Sequence, residues 1–514
     1  MPLDKSNEEK KKILSYEDLS FLISKLKSEN KIIVQCHGVF DLIHPGHIFH
    51  FQAAKKQGDI LVVSLTSDAY VNKGPNRPVF DENIRSEALS SIEAVDYVVI
   101  NHNPTAVEAI KRIQPDVYVK GEDYSSPDKD ITGGIKEELD AVENIGGRLH
   151  ITREITYSSS ELINNHFGMY SDEVKTFFAN FQNSYSSEEI IKNLKNLRDM
   201  KVLVIGETII DEYCYCKPMG KSSKEPIITT RFLDEEVFAG GVLAGANHVA
   251  GFCEKVDLLT GLGSIDSRED FIRQNLSSNI TPKFFYEDDK RTIVKKRFVE
   301  NAFLRKMFEI GFLKEGSSSQ TFQNQIVEYL EDVLQEYDMT LVLDYGHGFI
   351  GENVVRVICE KSNFLAVNTQ TNSDNIGYNL ITKYPRIDYL CVDEPEFRLA
   401  TTDRFGEIED LLIKTVEKLN IKKSSITRGH LGSISYSLSE KVFHTPVFSS
   451  KVVDTIGAGD AYISVTAPCV KAGFPMEMVG FIGNAVGAMA VSIVGNRSVV
   501  KPVDLFKFLT VLLK

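Results

Sequence analysis

The chain has 514 residues, too many for one ordinary hydrophobic core, so two or three domains are expected. Its 42% apolar and 25% charged residues are those of a globular protein, and no apolar run is long enough to span a bilayer. A net charge of −14 argues against a nucleic-acid partner, which needs a basic face, although a few cations in a cleft suffice for phosphate substrates.

Residues 1–30 form a polar extension, with a helix predicted over Tyr16–Lys27 where Leu19, Leu22 and Leu26 recur at helical spacing. Their Lys/Glu-rich start is unlike a signal peptide, and seven scattered cysteines make no disulfide framework, so a cytoplasmic setting is expected. Cys214 and Cys216 share one face of a predicted strand, without further ligands at metal spacing. Lys31–Cys36 is a short β-branched run that reads as a buried strand; it breaks at Gly38 and leads into Pro45, the first turn of a helix that ends before Gly58. His44, Gly46 and His47 therefore fall at a helix N-terminus, where unpaired N–H groups and the helix dipole favour an anion. Two imidazoles there can donate to phosphate oxygens; the bland alternative is a pair of capping histidines. Strands over Asp59–Thr66 and Val95–Ile100 enclose a helix over Asp81–Ile92, and that alternation predicts a parallel sheet with ligands at its carboxyl end. Arg85, and Lys120, Gly121 and Asp123 on a strand-to-loop passage, would alone be ordinary surface residues; Ser158, Ser159 and Ser160 would alone be helix caps.

The stretch GVFDLIHPGHIFHFQAAK resembles the HxGH signature of cytidylyltransferase-like nucleotidyltransferases. With SLTSDAYVNKGPNRPVFDENIRSEALSSIEAVDYVVI, DVYVKGEDY and ITYSSSELI it is most similar to the adenylyltransferase half of the bifunctional heptose-phosphate kinase/adenylyltransferases, from about Lys31 to Phe167. The resemblance implies a Rossmann-like sheet and a nucleotide site of Gly38, Phe40, Asp41, His44, His47, Arg85, Lys120, Gly121, Asp123, Ser158, Ser159 and Ser160. It further implies His44, His47 and Lys55 as catalytic groups and ATP or CTP as nucleotide donor to a sugar 1-phosphate, with pyrophosphate released.

Tyr170–Met200 is polar and reads as a capped linker helix. The expected domains are thus an extension (1–30), a nucleotidyltransferase (31–168), a linker helix (169–199) and a second α/β domain (200–514). Lys201–Ile205 opens that second pattern; Gly240, Gly241 and Gly245 make a small-residue stretch, and the basic run over Ile293–Met307 reads as a solvated face. In VVDTIGAGDAY, a strand feeding Gly457, Ala458 and Gly459 into a helix would form a nest of N–H groups for a phosphoryl group, with Asp460 placed to accept a hydroxyl proton.

That string resembles the second signature of the ribokinase-like (PfkB) sugar kinases, DEPEF at Asp393–Phe397 their magnesium-proximal element, and TRGHLG at Thr427–Gly432 their nucleotide-site turn. The resemblance implies ATP held near Thr427, Gly429, Gly432 and Glu396, Mg²⁺ near Glu396 and Asp393, Asp460 as base and Gly457–Gly459 as anion hole. VLVIGETIIDEY, KSSKEPIITT, VKKRFVENAFLRKMFEI and LVLDYGHGFI follow the kinase half of the heptose-phosphate family, implying a sugar site of Asp211, Gly240, Gly241, Asn247, Lys295, Arg297 and Asp344. Two departures stand out: Ala244 falls where a sugar-binding Asn is expected, leaving Asn247 as an open substitute, and the domain order is reversed. The expectation is a two-domain α/β enzyme of sugar activation, acting on sugar phosphates and nucleoside triphosphates without nucleic acid or membrane, with a homodimer left open. A cytidylyltransferase making a CDP-polyol or CDP-sugar, and a silent domain used for binding or oligomerisation, are the alternatives.

Overall fold

The apolar run after Lys31 becomes β1 (Ile33–Gly38), whose first four residues are buried because the sheet is covered on both faces. In this computed structural model, residues 12–75, 77–121, 134–152, 162–164, 170–313, 316, 318–449 and 451–514 are described. β1 pairs in parallel with β2 (Ile60–Thr66), which pairs with β3 (Tyr97–Asn101); on its other side lie β4 (Val117–Gly121) and β5 (Arg148–Thr152), giving the order β3-β2-β1-β4-β5. One face packs Phe51, Ala54 and Leu89 against Val34, Leu61 and Val63. The other packs Leu19 and Ile23 of the Tyr16–Ser28 helix, with Ala109 and Ile113, against Ile33, Val62 and Val99. The strand order reverses between β1 and β4, which places the ligand crevice at the carboxyl ends of those two strands.

The chain divides into two compact units, 1–171 together with 506–514, and 172–505. The last residues thus belong to the first unit: the Phe508 ring fills the space over Gly74, where a Cβ would lie 2.0 Å from it, and Val511 O accepts from Asn164 Nδ2 at 2.7 Å. The segment expected as one linker helix is two, Asp172–Gln182 and Ser187–Lys195, the second capped by Ser186 Oγ accepting from Glu189 N. Both lie in the second unit, where Phe181 stacks on Phe481 with centroids 4.2 Å apart.

The second unit is built on β6 (Lys201–Gly206), β7 (Thr208–Lys221), β8 (Ile228–Gly241), β9 (Lys255–Gly263), β10 (Ile280–Glu287), β11 (Ile293–Glu300), β12 (Arg305–Phe312) and β13 (Met339–Asp344). It continues through β14 (Leu365–Thr369), β15 (Tyr389–Asp393), β16 (Lys423–Thr427), β17 (Ser433–Ser437) and β18 (Phe443–Thr445). Nine strands form one sheet, β10-β9-β6-β13-β14-β15-β16-β17-β18, parallel as far as β16 and antiparallel beyond. β13 and β14 are buried along their whole length, as their near-continuous apolar sequences require. The other four make a separate sheet, β12-β11-β7-β8, which nothing in the local sequence pattern announces. Among the described residues, 451–456 form no strand leading into Gly457: Val453 and Asp454 instead donate their N–H groups to Val491 O, and the chain enters the helix Ala458–Lys471 from a loop.

Candidate active sites

In the first unit, β1 ends at Gly38, where a Cβ would lie 2.9 Å from the Phe40 ring; the glycine is what seats that ring. Phe40, at φ 48°, in turn meets His47 edge-on at 5.3 Å. The chain then enters the helix Pro45–Lys55, with His44 as N-cap and Pro45 at its first position. The His44 and His47 rings stack 3.9 Å apart at this N-terminus, where the helix dipole favours an anion. Burial lowers both imidazoles, His47 to about 3 with His44 and Lys73 adding to the effect. Both are therefore neutral at pH 7, each with an N–H to donate, and a polyanion would raise both.

Neighbouring strand ends bring more polar groups to the same place. His37 Nδ1 lies 2.9 Å from Ser64 Oγ and its Nε2 3.3 Å from Thr66 Oγ1, while His50 Nδ1 lies 2.7 Å from Thr152 Oγ1. Lys120, buried at the end of β4, pairs with Glu138 at 2.8 Å, and Gly121 beside it faces open space. Lys73 lowers His47, and its own pKa is brought down to about 8 by burial and by Arg77. Sequence reasoning does not single out His37, His50, Lys73 or Arg77. The available signal for the last two was their place in KGPNRP, within a string that already carried the resemblance.

Other expected residues hold the site without facing it. Asp41 Oδ2 accepts from Arg77 at 3.1 Å, and its Oδ1 accepts from Val79 N at 2.7 Å and Phe80 N at 3.2 Å. Arg85, 1% exposed, donates to the carbonyls of Phe80 and Val39 and to Asp68, so it staples the loop around the turn. Lys55 is a correction. It stands at the C-terminal end of the 11-residue helix, paired with Asp96 and bonded to Asp59 O. At about 1.5 Å per residue its backbone is roughly 16 Å from His44, and with its ammonium bound at that far end it takes no part in a phosphate site there. Asp123, Ser158, Ser159 and Ser160 lie outside the described residues.

In the second unit, Gly457 (φ 80°) starts the helix Ala458–Lys471, and a Cβ there would lie 2.3 Å from Asn496 Oδ1. A Cβ on Gly459 would meet nothing within 4 Å, so the helix's first turn is open on that side. Asp460 follows, 6% exposed, its Oδ1 accepting from Gln370 Nε2 at 2.6 Å. Burial, with Asp211 adding to it, pushes its carboxyl up to about 7, against the pull of Tyr345, Lys295 and Gln370. Asp211 is bound by Arg297 and, at 3.1 Å, by Asn496 Nδ2; a Cβ on Gly240 would lie 2.1 Å from its Oδ2. Gly241 makes the turn into the helix Val242–Phe252 at φ 57°. Arg297 is 9% exposed and also pairs with Glu309 at 2.8 Å, so the basic run expected as a solvated face turns part of itself inward. Lys295, opposite Asp211 across β11 and β7, has no ion-pair partner among the described residues. Gln370 and Tyr345 are again groups that sequence reasoning passes over.

Two sugar-site expectations are corrected. Asp344 is wholly buried and engaged by Tyr384, Lys383, Asn379 and Gly346 N, so it anchors the Tyr345–Gly348 loop. Glu207 assists, accepting from Tyr345 N at 2.9 Å and His347 N at 3.0 Å; burial and the nearby Asp344 push its carboxyl up. Asn247 Nδ2 donates to Asn275 O and its Oδ1 accepts from Ser277 N and Oγ, so its amide does not replace the one missing at Ala244.

At the nucleotide end, Asp393 and Glu396 form a capping box, and Glu396 Oε1 accepts from Thr371 N at 2.9 Å. Burial raises both carboxyls, with Glu394 adding to the rise of Asp393 and Asp393 to that of Glu396, a pair whose proton a cation can replace. Thr427 ends β16, and the turn after it closes with Arg428 N donating to Gly432 O at 2.8 Å. Gly432, at φ 85°, has Thr445 O where a Cβ would stand, whereas Gly429 faces open space.

Residues 199–502 match the pfkB family of carbohydrate kinases, and residues 35–193 match the cytidylyltransferase-like family. Among curated relatives, the bifunctional protein HldE of Trichlorobacter lovleyi is 34% identical over 165 residues, 32% of this chain and 32% of its own length. That of Aliarcobacter butzleri is 40% identical over 139 residues, 26% and 29% respectively. The matches thus span about a third of each relative. Among solved structures, Escherichia coli phosphofructokinase-2 in complex with substrates and products is 12% identical with a TM-score of 0.50, covering 61% of this chain and 99% of that one. This last likeness is one of fold.

Proposed function

The chain belongs to the pfkB family of carbohydrate kinases, and on that premise we propose a bifunctional enzyme of sugar activation. The second unit would transfer the γ-phosphoryl group of ATP to a hydroxyl of a sugar or sugar phosphate of the heptose 7-phosphate type. The observation that carries this is the buried Asp460, titrating near neutrality beside the open first turn at Gly459. The hydroxyl oxygen attacks the γ-phosphorus, its proton passes to Asp460, and ADP leaves; Gly457–Gly459 N–H groups and Lys295 meet the charge on the transferring group. The raised pair Asp393 and Glu396 suits one Mg²⁺, with waters and phosphates completing its shell. Bound there, the ion would neutralise phosphate charge.

The first unit would join a sugar 1-phosphate to a nucleoside triphosphate. A phosphate oxygen attacks the α-phosphorus and pyrophosphate leaves, with no covalent enzyme intermediate. His44, His47, Lys73 and Lys120 stabilise the charge on the phosphates by preorganised donation. ATP is the proposed donor, on the similarity to the HldE proteins. A separate phosphatase reaction must then convert the doubly phosphorylated sugar into the sugar 1-phosphate. Phosphate-rich substrates and reduced cysteines suit a cytoplasmic setting.

The test measures pyrophosphate release with ATP and CTP against a panel of sugar 1-phosphates, and ADP release with sugar 7-phosphates, in the wild-type chain and Asp460→Asn. Asp460→Asn should lose about 10²–10⁴-fold in ADP release and keep pyrophosphate release. Full kinase activity in that variant would remove the assignment of Asp460, and transfer from CTP alone would turn the first unit into a cytidylyltransferase.

A further inference from the structure

Ala244 and His248 are one turn apart on the helix Val242–Phe252 and line the same cleft. Its volume is about 590 Å³, and its other walls are the end of β8 at Phe238 and Ala239, the Gln274–Ser277 turn and the Asn496–Lys501 segment. That volume is in the range of small-molecule sites, roughly 300–1,000 Å³. His248 is 4% exposed and its Nδ1 has no hydrogen-bond partner among the described residues, although nearly all buried polar atoms find one. Burial lowers its ring to about 4, so this part of the wall is a neutral ring and carries no charge.

Charge in the cleft is also asymmetric. Arg497 is neutralised by Glu236, but the ammonium of Lys501 at the rim has no ion-pair partner among the described residues. Asn496 joins this cleft to the transfer site, since its Nδ2 donates to Asp211 and its Oδ1 abuts Gly457. Ala244, standing where the family carries a sugar-binding Asn, offers this cleft no side-chain hydrogen bond.

We propose that this cleft is the subsite for the distal, anion-bearing end of the kinase's acceptor, resting on the reading of the second unit as a sugar kinase. Hydroxyls of the acceptor's chain meet Gln274 and Ser498 beside the neutral His248 wall, and its terminal anion meets Lys501. A phosphate ester and a carboxylate share that chemistry, and the panel of acceptors separates them.

The experiment uses the full chain and four acceptors: heptose 7-phosphate, glucose 6-phosphate, glucuronate and uncharged heptose. For each, kcat and KM are measured in wild type, Lys501→Ala, Lys501→Arg and Ala244→Leu, with KM for ATP and Tm alongside. Lys501→Ala is expected to raise KM for the anionic acceptors about tenfold, leave uncharged heptose and ATP unchanged, and be rescued by Lys501→Arg. Ala244→Leu should raise KM most for the longest acceptor. The source of the anion follows from which of the phosphate esters and glucuronate shows the Lys501 effect. If wild type phosphorylates these sugars and Lys501→Ala treats charged and uncharged acceptors alike, the subsite is overturned while the kinase reading stands. If wild type phosphorylates none of them, nor other sugars, the kinase reading falls and the subsite with it.

Discussion

Gln370 helps Tyr345 and Lys295 to hold the Asp460 carboxyl down against burial, and Gln370→Met tests its share. The wild-type amide donates to Asp460 Oδ1 at 2.6 Å, and it opposes the rise that burial imposes on the carboxyl. A hydrogen bond to a charged group is worth about 1.5–3 kcal/mol, and about 1.4 kcal/mol corresponds to one pKa unit. Methionine keeps the length of the side chain and donates nothing, so the Asp460 carboxyl should rise by roughly one to two units. Its wild-type value is about 7, so half of the free enzyme carries the base at pH 7. In the variant about a tenth to a hundredth would, and kcat/KM at pH 7 should fall roughly 5- to 50-fold. The base is needed ionised, so the loss appears on the acid side and shrinks as pH rises through the new pKa. The assay is the kinase kcat/KM from pH 5.5 to 9.5, whose acid limb reports groups of the free enzyme. An acid limb that does not move in Gln370→Met, whatever the drop in rate, would refute the reasoning.

Three further outcomes are expected. His44→Ala and His47→Ala should each lower pyrophosphate release by about 10²–10³-fold, as for loss of an oxyanion-type donor, with ADP release by the kinase as the internal control; near-normal transfer in both would remove the phosphate role. Lys55→Ala should leave transfer within about twofold, because its ammonium is bound at the far end of the helix; a hundredfold loss would contradict that placement. The domain boundary remains our proposal, and removing residues 506–514 should destabilise the first unit selectively. Phe508, Leu509 and Leu512 are each at most 1% exposed and stand to lose about 1.5–3 kcal/mol apiece as an upper bound, so hydrogen exchange should rise around Gly74 and Asn164, and an unchanged pattern there would show the tail to be dispensable.

What the sequence discloses and what it hides follow from the range of the forces involved. The HxGH turn and the GAGD turn are legible because a strand or loop, a glycine and a helix start are set by neighbours in the chain. The N-terminal helix is legible from Leu19, Leu22 and Leu26, and its stripe against the sheet runs through Leu19, Ile23 and Leu26. The five-stranded parallel sheet followed from apolar runs alternating with helices, while the β12-β11-β7-β8 sheet did not, because its pairings join residues 208–241 to residues 293–312 and no local period encodes that. Charged residues are the least legible class. Arg85, Asp41 and Asp344 carry the residue types of a phosphate or sugar site, yet their hydrogen-bonding capacity is taken up by carbonyls, N–H groups and opposite charges brought from distant segments. Lys295 and Lys73 are told apart from them by having no ion-pair partner among the described residues, and Asp460 by a burial that raises its carboxyl despite its hydrogen bonds. Burying an ionised group without a partner is costly, so a chain that keeps such groups near phosphate-sized openings is organised for a ligand that supplies the missing charge.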